Sequence, residues 1–547
     1  MTMRRHPVLA GIIFVFLCLL PLMSGRDFTP DNELRYLQIA DEAIENGSVF
    51  TFTNDGKPYA DKPPLFLWMV MLLKLAAGRH SILLLSLLAF IPAAVIACVM
   101  DRWLVLAYEE KGRSIDPGTR LAMVLMLFTS GMFLGTCFFL RMDMLMTMFI
   151  ILAFYSFYRS YTFARNARMH DWLLPVWIFL ALFTKGPVGL LMPLLGIAVF
   201  LIVRKDFKLF GKYLGLRTFG IIILLCALWL GGVWLEGGKD YLYELTVHQT
   251  VGRGINAFTH AKPFWYYFEA LPINLAPYVI FSLPIIIASY FRSYSKTRME
   301  SLLLCSALAT FVMLSCFSSK LSIYLLPIVP CLTFCIPLTI ERLGWKGWMC
   351  ACLRLTIVIL GLIGAVGLLA LTLLPKLNLA WQPLLELESL IYEMPFLTSA
   401  AVITALAILF AGSVLSLLLC SRRVHWSAPV AAISATVLLT VFAASFRIKD
   451  INPYIGYGAI CEQVSESDRV VTLFVKRSEN MKVYLHRDVV RYEKDVDAFV
   501  QGEAGTDEPS TLIVTTKRIS EYPALQEFLQ SRARNVTSVG EYTVVRY

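Results

Sequence analysis

Arg26 to Pro64 reads RDFTPDNELRYLQIADEAIENGSVFTFTNDGKPYADKPP. The stretch is polar and acidic, carrying Asp27, Asp31, Asp41, Asp55 and Asp61 with Glu33, Glu42 and Glu45. Apolar runs close on it from both sides, Pro7 to Met23 before it and Pro64 to Ala77 after it. A charged loop set between such runs is what separates two membrane-associated helices, and this decides the fold class.

The whole chain extends that reading. It is 57% hydrophobic and only 16% charged over 547 residues, where a soluble domain carries about 25% charged residues. Apolar runs recur with short basic loops between them, the pattern of a polytopic helical membrane protein. The net charge of +10 is spread over those loops. It therefore reads as a topology signal and excludes a concentrated nucleic-acid patch. Of the twelve Cys, all but Cys461 lie in or beside apolar runs. They read as small buried hydrophobes, with neither disulfides nor a metal cluster.

Arg4 and Arg5 precede the first apolar run. This start reads either as a signal peptide ending near Ser24-Gly25 or as an uncleaved first helix. The second is favoured, with its basic end in the cytoplasm, which puts 27–63 outside as the first large outside loop. Pro64 to Ala77 is too short to span and is expected to lie in the outer interface. Twelve further spans are expected at about 82–106, 120–139, 144–162, 172–184, 187–203, 214–235, 267–291, 299–317, 322–340, 350–374, 396–420 and 426–446. With the first helix they make thirteen. Residues 236–263 then form a second large outside loop, and 375–395 a surface piece. Residues 1–446 make the transmembrane part. From Arg447 short β-like runs appear at Val470–Val475, Lys482–Leu485, Val489–Tyr492, Thr511–Thr516 and Tyr542–Tyr547, with a helix at Tyr522–Arg532. Residues 447–547 are expected to form a small soluble α/β domain, outside because the span count is odd.

The residues able to carry chemistry fall in the outside loops. Asp31, Glu33, Arg35 and Tyr36 follow the first helix. Asp31 reads either as the N-cap of the next helix or as a carboxylate that orients or deprotonates an acceptor. Arg35 reads either as an ion-pair partner or as a phosphate ligand. Tyr59, Asp61 and Lys62 precede Pro63-Pro64, which fixes Lys62 at the headgroup level. Arg141 and Asp143 sit in a turn between apolar runs, where charge is costly and usually functional. Lys185 lies in Thr-Lys-Gly-Pro, Arg253 and His260 in the second loop, and Lys320 and Tyr324 in Lys-Leu-Ser-Ile-Tyr, on one helix face. A transporter would place ionisable groups nearer the midplane. An enzyme acting on a lipid phosphate needs carboxylates and cations at the headgroup layer, where these residues fall.

In this order the motifs resemble those of the integral-membrane GT-C glycosyltransferases. Within them the match is to the lipid A 4-amino-4-deoxy-L-arabinose transferases and their protein O-mannosyltransferase relatives. Asp31…Arg35-Tyr36 is similar to the family's first-loop motif, and Tyr59-Ala-Asp61-Lys62-Pro63 to its Tyr-x-Glu-Lys-Pro. Asp143, Thr184-Lys185-Gly186, His260-Ala-Lys-Pro-Phe-Trp-Tyr-Tyr and Lys320-Leu-Ser-Ile-Tyr324 follow in the family's order. The resemblance covers about 1–340.

It implies a GT-C fold and a glycosyltransferase in the bacterial inner membrane with a periplasmic active site. The implied donor is a sugar on undecaprenyl phosphate, and the implied acceptor is lipid A, a Ser/Thr hydroxyl or another envelope glycan. Asp31, Glu33 and Asp143 would be catalytic. Arg35, Tyr36, Tyr59, Lys62, Arg141, Lys185, Arg253, Lys320 and Tyr324 would bind substrate. Asp61 with His260 would hold a divalent metal, zinc or magnesium, and no other cofactor is implied. Two departures stand out. Asp31-Asn-Glu-Leu-Arg is one residue longer than the family spacing, so Asp31, Asn32 and Glu33 compete for one position. Asp61 replaces a Glu. A lipid or solute transporter, or a non-catalytic assembly partner, is the alternative class.

Overall fold

The structure is a computed structural model that describes residues 6–163, 168–246, 261–291, 296–373, 394–422, 424–503, 506 and 508–547. The chain divides into two compact units. The first comprises Met1–Pro21, Ala60–Phe66 and Ser86–Phe446; the second comprises Leu22–Tyr59, Leu67–Leu85 and Arg447–Tyr547.

Helices dominate the first unit because its segments are rich in Leu, Ile, Ala and Met and are apolar on all sides. Ile223, Leu224, Leu228 and Leu235 remain exposed, as expected of a helix that meets lipid. Among the described residues nine helices are long and apolar enough to cross a membrane, including Pro7–Gly25, Ile82–Glu109, Met142–Thr162, Pro187–Arg204 and Gly347–Leu373. The chain is a multi-pass membrane protein. Tyr266–Leu275 and Val279–Phe291, bent by 119°, would make a tenth span. The expected thirteen are not confirmed.

Several expected spans are broken or bounded differently for identifiable reasons. The run 120–139 divides at Ser130 into helices Pro117–Thr129 and Gly131–Thr136. There the amide of Gly131 leaves the ladder and donates to Ala276 O at 2.6 Å. A Cβ on Gly131 would lie 2.9 Å from Ile273 O, so the approach requires glycine. The run 172–184 belongs to a helix, Arg168–Lys185, whose first turns carry Arg168, His170 and Asp171. The run 322–340 opens as a 3-10 turn, Ser322–Leu325, before helix Ile328–Leu343. Helix Leu216–Tyr243 continues past its expected end and kinks at Gly238, φ 68°. Buried polar groups also tie helices together. Arg342 Nη2 meets Glu300 Oε1 at 2.7 Å, and Ser289 Oγ donates to the same oxygen at 2.7 Å. The pair is satisfied inside the bundle rather than aimed at a ligand.

In the second unit, strands β1 (Thr53–Asn54) and β2 (Lys57–Pro58) form a hairpin. A five-stranded sheet contains β3 (Arg469–Leu473), β4 (Val490–Arg491), β5 (Ser510–Thr515), β6 (Asn535–Val539) and β7 (Tyr542–Arg546). Its order is β4-β3-β5-β7-β6. β3 pairs parallel to β4 and β5, while β7 pairs antiparallel to β5 and β6. Val471, Leu473, Leu512, Val514 and Val545 pack with Phe499, Leu525 and Phe528 from helices Val496–Glu503 and Pro523–Arg532. The α/β character is as expected, with two local corrections. Lys482–Leu485 is a helical turn, because it continues the 3-10 turn Ser478–Met481. The edge strand β6 is half exposed, and its polar Asn-Val-Thr-Ser-Val gave no apolar alternation to read.

Candidate functional site

In the first unit the charged turns converge on Asp143. Arg141 is extended, and helix Met142–Thr162 begins at Met142, so Asp143 sits in the first turn. The partial positive charge of that helix end favours a carboxylate there. Lys185, the last residue of helix Arg168–Lys185, donates from Nζ to Asp143 Oδ1. Arg141 Nε stands 3.6 Å from Asp143 Oδ2. Asp143 is 3% exposed and Lys185 10%, while Arg141 is 32% exposed. The pair is therefore buried with one solvent-facing cation beside it. The ring of Tyr324 lies under the ammonium, with Nζ 4.5 Å from its centroid. Gly186 makes this possible. It follows Lys185 at φ 98°, ψ −158°, a conformation open essentially to glycine, and Pro187 then starts the next helix.

Lys320 and Tyr324 do not share a helix face. Lys320 is buried and donates from Nζ to Phe317 O and, at 3.1 Å, to Lys262 O. It clamps the bridge formed by Ala261 and Ser319. Two of its three N–H donors are thus used on backbone. The turn Ser322–Leu325 carries Tyr324 toward Lys185 instead. Asp61 and Lys62 are half-buried in the first unit. Arg253 and His260 lie outside the described residues. Among the described residues no group of three His, Cys, Asp or Glu forms a metal-binding cluster, and the expected pairing of Asp61 with His260 lies outside the described residues.

In the second unit the first loop enters its helix through a wide turn. Pro30–Leu34 forms a π-helical turn, and Leu34 N donates to Thr29 O, five residues back, at 3.1 Å. Helix Arg35–Asn46 follows. The wide turn takes up one residue more than an α-turn. Thr29, not Asp31, occupies the N-cap position. Glu33 is buried and grips Arg26 through two bonds of 2.7 and 2.6 Å. It also accepts from Thr29 N at 2.9 Å and Thr29 Oγ1 at 3.0 Å. Its oxygens are committed to holding the loop. Asp31 differs: its side chain is 53% exposed, 3.2 Å from Lys476 Nζ, which is itself 78% exposed. The guanidinium of Arg35 lies over the rings of Tyr36 and Tyr59, at 5.6 and 5.9 Å, and both tyrosines are buried.

Sequence reasoning missed three residues that build this loop. Asp27 accepts from Gly458 N at 2.6 Å, from Phe28 N at 2.7 Å and from the Tyr484 hydroxyl. Burial, and then the charge of Asp27, push that hydroxyl well above the usual tyrosine range. Asn452 bridges Asp27 N and Gly25 O, each at 2.9 Å. Arg26, read only as a flank, is the partner of Glu33. The partners 425 to 457 residues away leave no local signal in the sequence.

No family model matches the chain. An undecaprenyl phosphate-alpha-4-amino-4-deoxy-L-arabinose arabinosyl transferase of Pseudomonas fluorescens is 26% identical over 321 residues, covering 58% of this chain and 54% of that protein. A transferase of the same name from Edwardsiella ictaluri is 26% identical over 371 residues, 66% of this chain and 64% of that protein. The matched region thus spans little more than half the length of the first of these relatives. The crystal structure of ArnT from Cupriavidus metallidurans bound to undecaprenyl phosphate superposes with a TM-score of 0.70, over 98% of this chain and 97% of that one, at 16% identity. The chain has the ArnT fold.

Proposed function

We propose that the chain is a membrane glycosyltransferase. In this reading it moves a sugar from a polyprenyl-phosphate donor to lipid A at the periplasmic face of the bacterial inner membrane. The names of the relatives make 4-amino-4-deoxy-L-arabinose on undecaprenyl phosphate the first donor to try. The observation that carries the proposal is the buried Asp143–Lys185 pair with Arg141 and Tyr324 beside it. These groups suit a lipid phosphate that gains negative charge as it leaves.

In the reaction an acceptor oxygen attacks the anomeric carbon and the bond from that carbon to the phosphate oxygen breaks. The electron pair departs on polyprenyl phosphate. Lys185 and Arg141 take up that charge, in a site where fixed cations need no reorganisation. Asp143 holds both in place beforehand. Lys62, in the same unit, is a further cation for the phosphate, and the motif resemblance alone offers Arg35 and Arg253 for that role. Asp31, exposed and weakly paired, orients the acceptor. A lipid A phosphate is already ionised and needs no base; a hydroxyl acceptor would pass its proton to Asp31. Glu33 supports the loop that carries Asp31.

The test is incubation of purified protein with undecaprenyl-phosphate aminoarabinose and lipid A, followed by mass spectrometry. Release of undecaprenyl phosphate with a matching mass gain on lipid A is expected. The proposal fails if neither product forms from any polyprenyl-phosphate sugar supplied.

A further inference from the structure

The second unit contains a cleft of about 970 Å3 that none of the residues above explains. Its position follows from the sheet. The chain leaves β3 for β4 on one side, and the next parallel strand, β5, lies on the other side of β3. Loops leaving the carboxyl ends of β3 and β5 therefore part, and such a switch point is where open α/β sheets bind ligands. The cleft is lined by Phe474–Glu479 after β3, Glu493 and Lys494 after β4, and Arg518 and Tyr522 after β5. The hairpin β1–β2 adds Asn54, Asp55 and Lys57.

Three observations give it a chemistry. Lys57, Lys476, Arg477, Arg491, Lys494 and Arg518 outnumber the lining carboxylates Asp55, Glu479 and Glu493, and they still outnumber the acidic groups when the partners of Lys476 and Arg518 just beyond the lining, Asp31 and Glu521, are counted. Arg491 is held between two of those carboxylates, 2.5 Å from Asp55 and 3.2 Å from Glu479. The excess is cationic. Next, Phe474 and Tyr522 pack at 5.1 Å between ring centroids, with Arg518 5.8 Å above Phe474. The lining thus has an aromatic surface beside its cations. Finally, Asp55, Phe474, Arg477 and Glu493 have φ of 57°, 58°, 59° and 49°. Among the described residues only Lys205 and His486 are further non-glycine residues with positive φ. Asp55 with Gly56 is the left-handed pair that the two-residue turn of the β1–β2 hairpin requires, whereas Phe474, Arg477 and Glu493 gather disfavoured backbone in the loops at one cleft, as binding sites do.

We propose that this cleft binds a phosphorylated saccharide, either free or as the headgroup of a glycolipid. The cations take the phosphate, and the aromatic surface takes a sugar face. The volume is several times what a lone phosphate needs, at the upper end of small-ligand pockets of roughly 300–1,000 Å3. The proposal stands on the sheet and the lining residues, and does not require the transferase reading.

The test uses full-length protein in detergent, titrated with glucosamine 1-phosphate, lipid A, glucosamine, inorganic phosphate and phosphatidylglycerol, with binding followed calorimetrically. Wild type is compared with a Lys57→Gln/Lys494→Gln/Arg518→Gln variant and a charge-preserving Lys57→Arg/Lys494→Arg/Arg518→Lys variant. The neutral variant should bind at least one phosphorylated saccharide about tenfold or more weakly, and the charge-preserving variant should keep the affinity. Loss confined to lipid A identifies the lipid-linked source, and loss with glucosamine 1-phosphate identifies the free one. Equal affinity in wild type and the neutral variant overturns the proposal. So does binding of phosphatidylglycerol or inorganic phosphate as tight as that of the phosphorylated sugars, or no binding of either sugar phosphate. Sugar transfer is not the readout, so an inactive transferase leaves the result interpretable.

Discussion

Arg26 and Glu33 face each other as a two-pronged ion pair, Nη1 to Oε2 at 2.7 Å and Nη2 to Oε1 at 2.6 Å, each side chain 1% exposed. Removing one partner strands a buried charge, which typically costs about 3–5 kcal/mol. Glu33→Gln and Arg26→Met should each lower the unfolding temperature of the detergent-solubilised protein sharply. The double variant should lose less than the sum of the two, because the residues form one unit. Equal unfolding temperatures for Glu33→Gln and wild type would show that this pair does not hold the loop.

Asp143 and Lys185 make the corresponding pair in the first unit, and here the expected loss is in rate. Asp143→Asn keeps the shape but frees Lys185 from its counter-charge. Lys185→Met removes a cation from the proposed leaving-group site. Each should reduce polyprenyl phosphate release by about 100-fold or more, the scale seen when one preorganised charge-stabilising group is lost. Gly186→Ala tests the positioning separately. At φ 98°, ψ −158° a side chain adds roughly 1–3 kcal/mol of strain. Activity should fall in that variant although every charge remains. An unchanged rate would mean that Lys185 is not held by this turn.

Glu503 sets a pH dependence for the C-terminal fold. Burial alone would raise its pKa, but hydrogen bonds from Arg469, Tyr547 and Tyr492, with the charge of Arg469, together outweigh that and hold it below the usual glutamate range. The bonds measure 2.7 and 2.9 Å from Arg469 and 2.8 Å from each tyrosine hydroxyl. A depressed folded pKa stabilises above the unfolded value, near 4.3 for glutamate. That contribution is lost as pH falls from there through the folded pKa. Acid unfolding of wild type should therefore steepen below about pH 4.3, and Glu503→Gln should flatten that limb while lowering stability at neutral pH. Superimposable acid limbs for the two proteins would count against the linkage.

What the sequence revealed and what it hid divide along physical lines. Apolar runs and interhelical charge are local, so the membrane class and the α/β tail could be read directly. The Asp143 and Lys185 turns were legible because charge between apolar runs is expensive. Their contact, 42 residues apart, was not. Asp27 looked like any loop carboxylate because Gly458 and Tyr484 come from the far end of the chain. Glu33 looked equivalent to Asp31, and only burial by Arg26 separates a supporting carboxylate from an exposed one. Spans such as 120–139 and 267–291 failed as continuous helices because their breaks answer each other, Gly131 N reaching Ala276 O. Hydropathy along one strand of sequence carries no record of such an exchange.

Asn32 offers the sharpest test of the first loop. The π-helical turn Pro30–Leu34, closed by Leu34 N to Thr29 O, holds one residue more than an α-turn. The side chain of Asn32 itself makes only a 3.4 Å contact from Arg35. Asn32→Ala should therefore leave both stability and transfer close to wild type. Deleting Asn32 is different. It shortens the turn to α spacing and puts Glu33 three residues after Thr29, where a capping-box bond still forms. The fold should survive, but Asp31 rotates by about 100° about the helix axis relative to Arg35–Asn46, one residue's worth at 3.6 residues per turn. If Asp31 orients the acceptor, the deletion should cut transfer about tenfold or more with little change in unfolding temperature. Transfer at the wild-type rate in the deletion variant would show that the direction of Asp31 is irrelevant to the reaction.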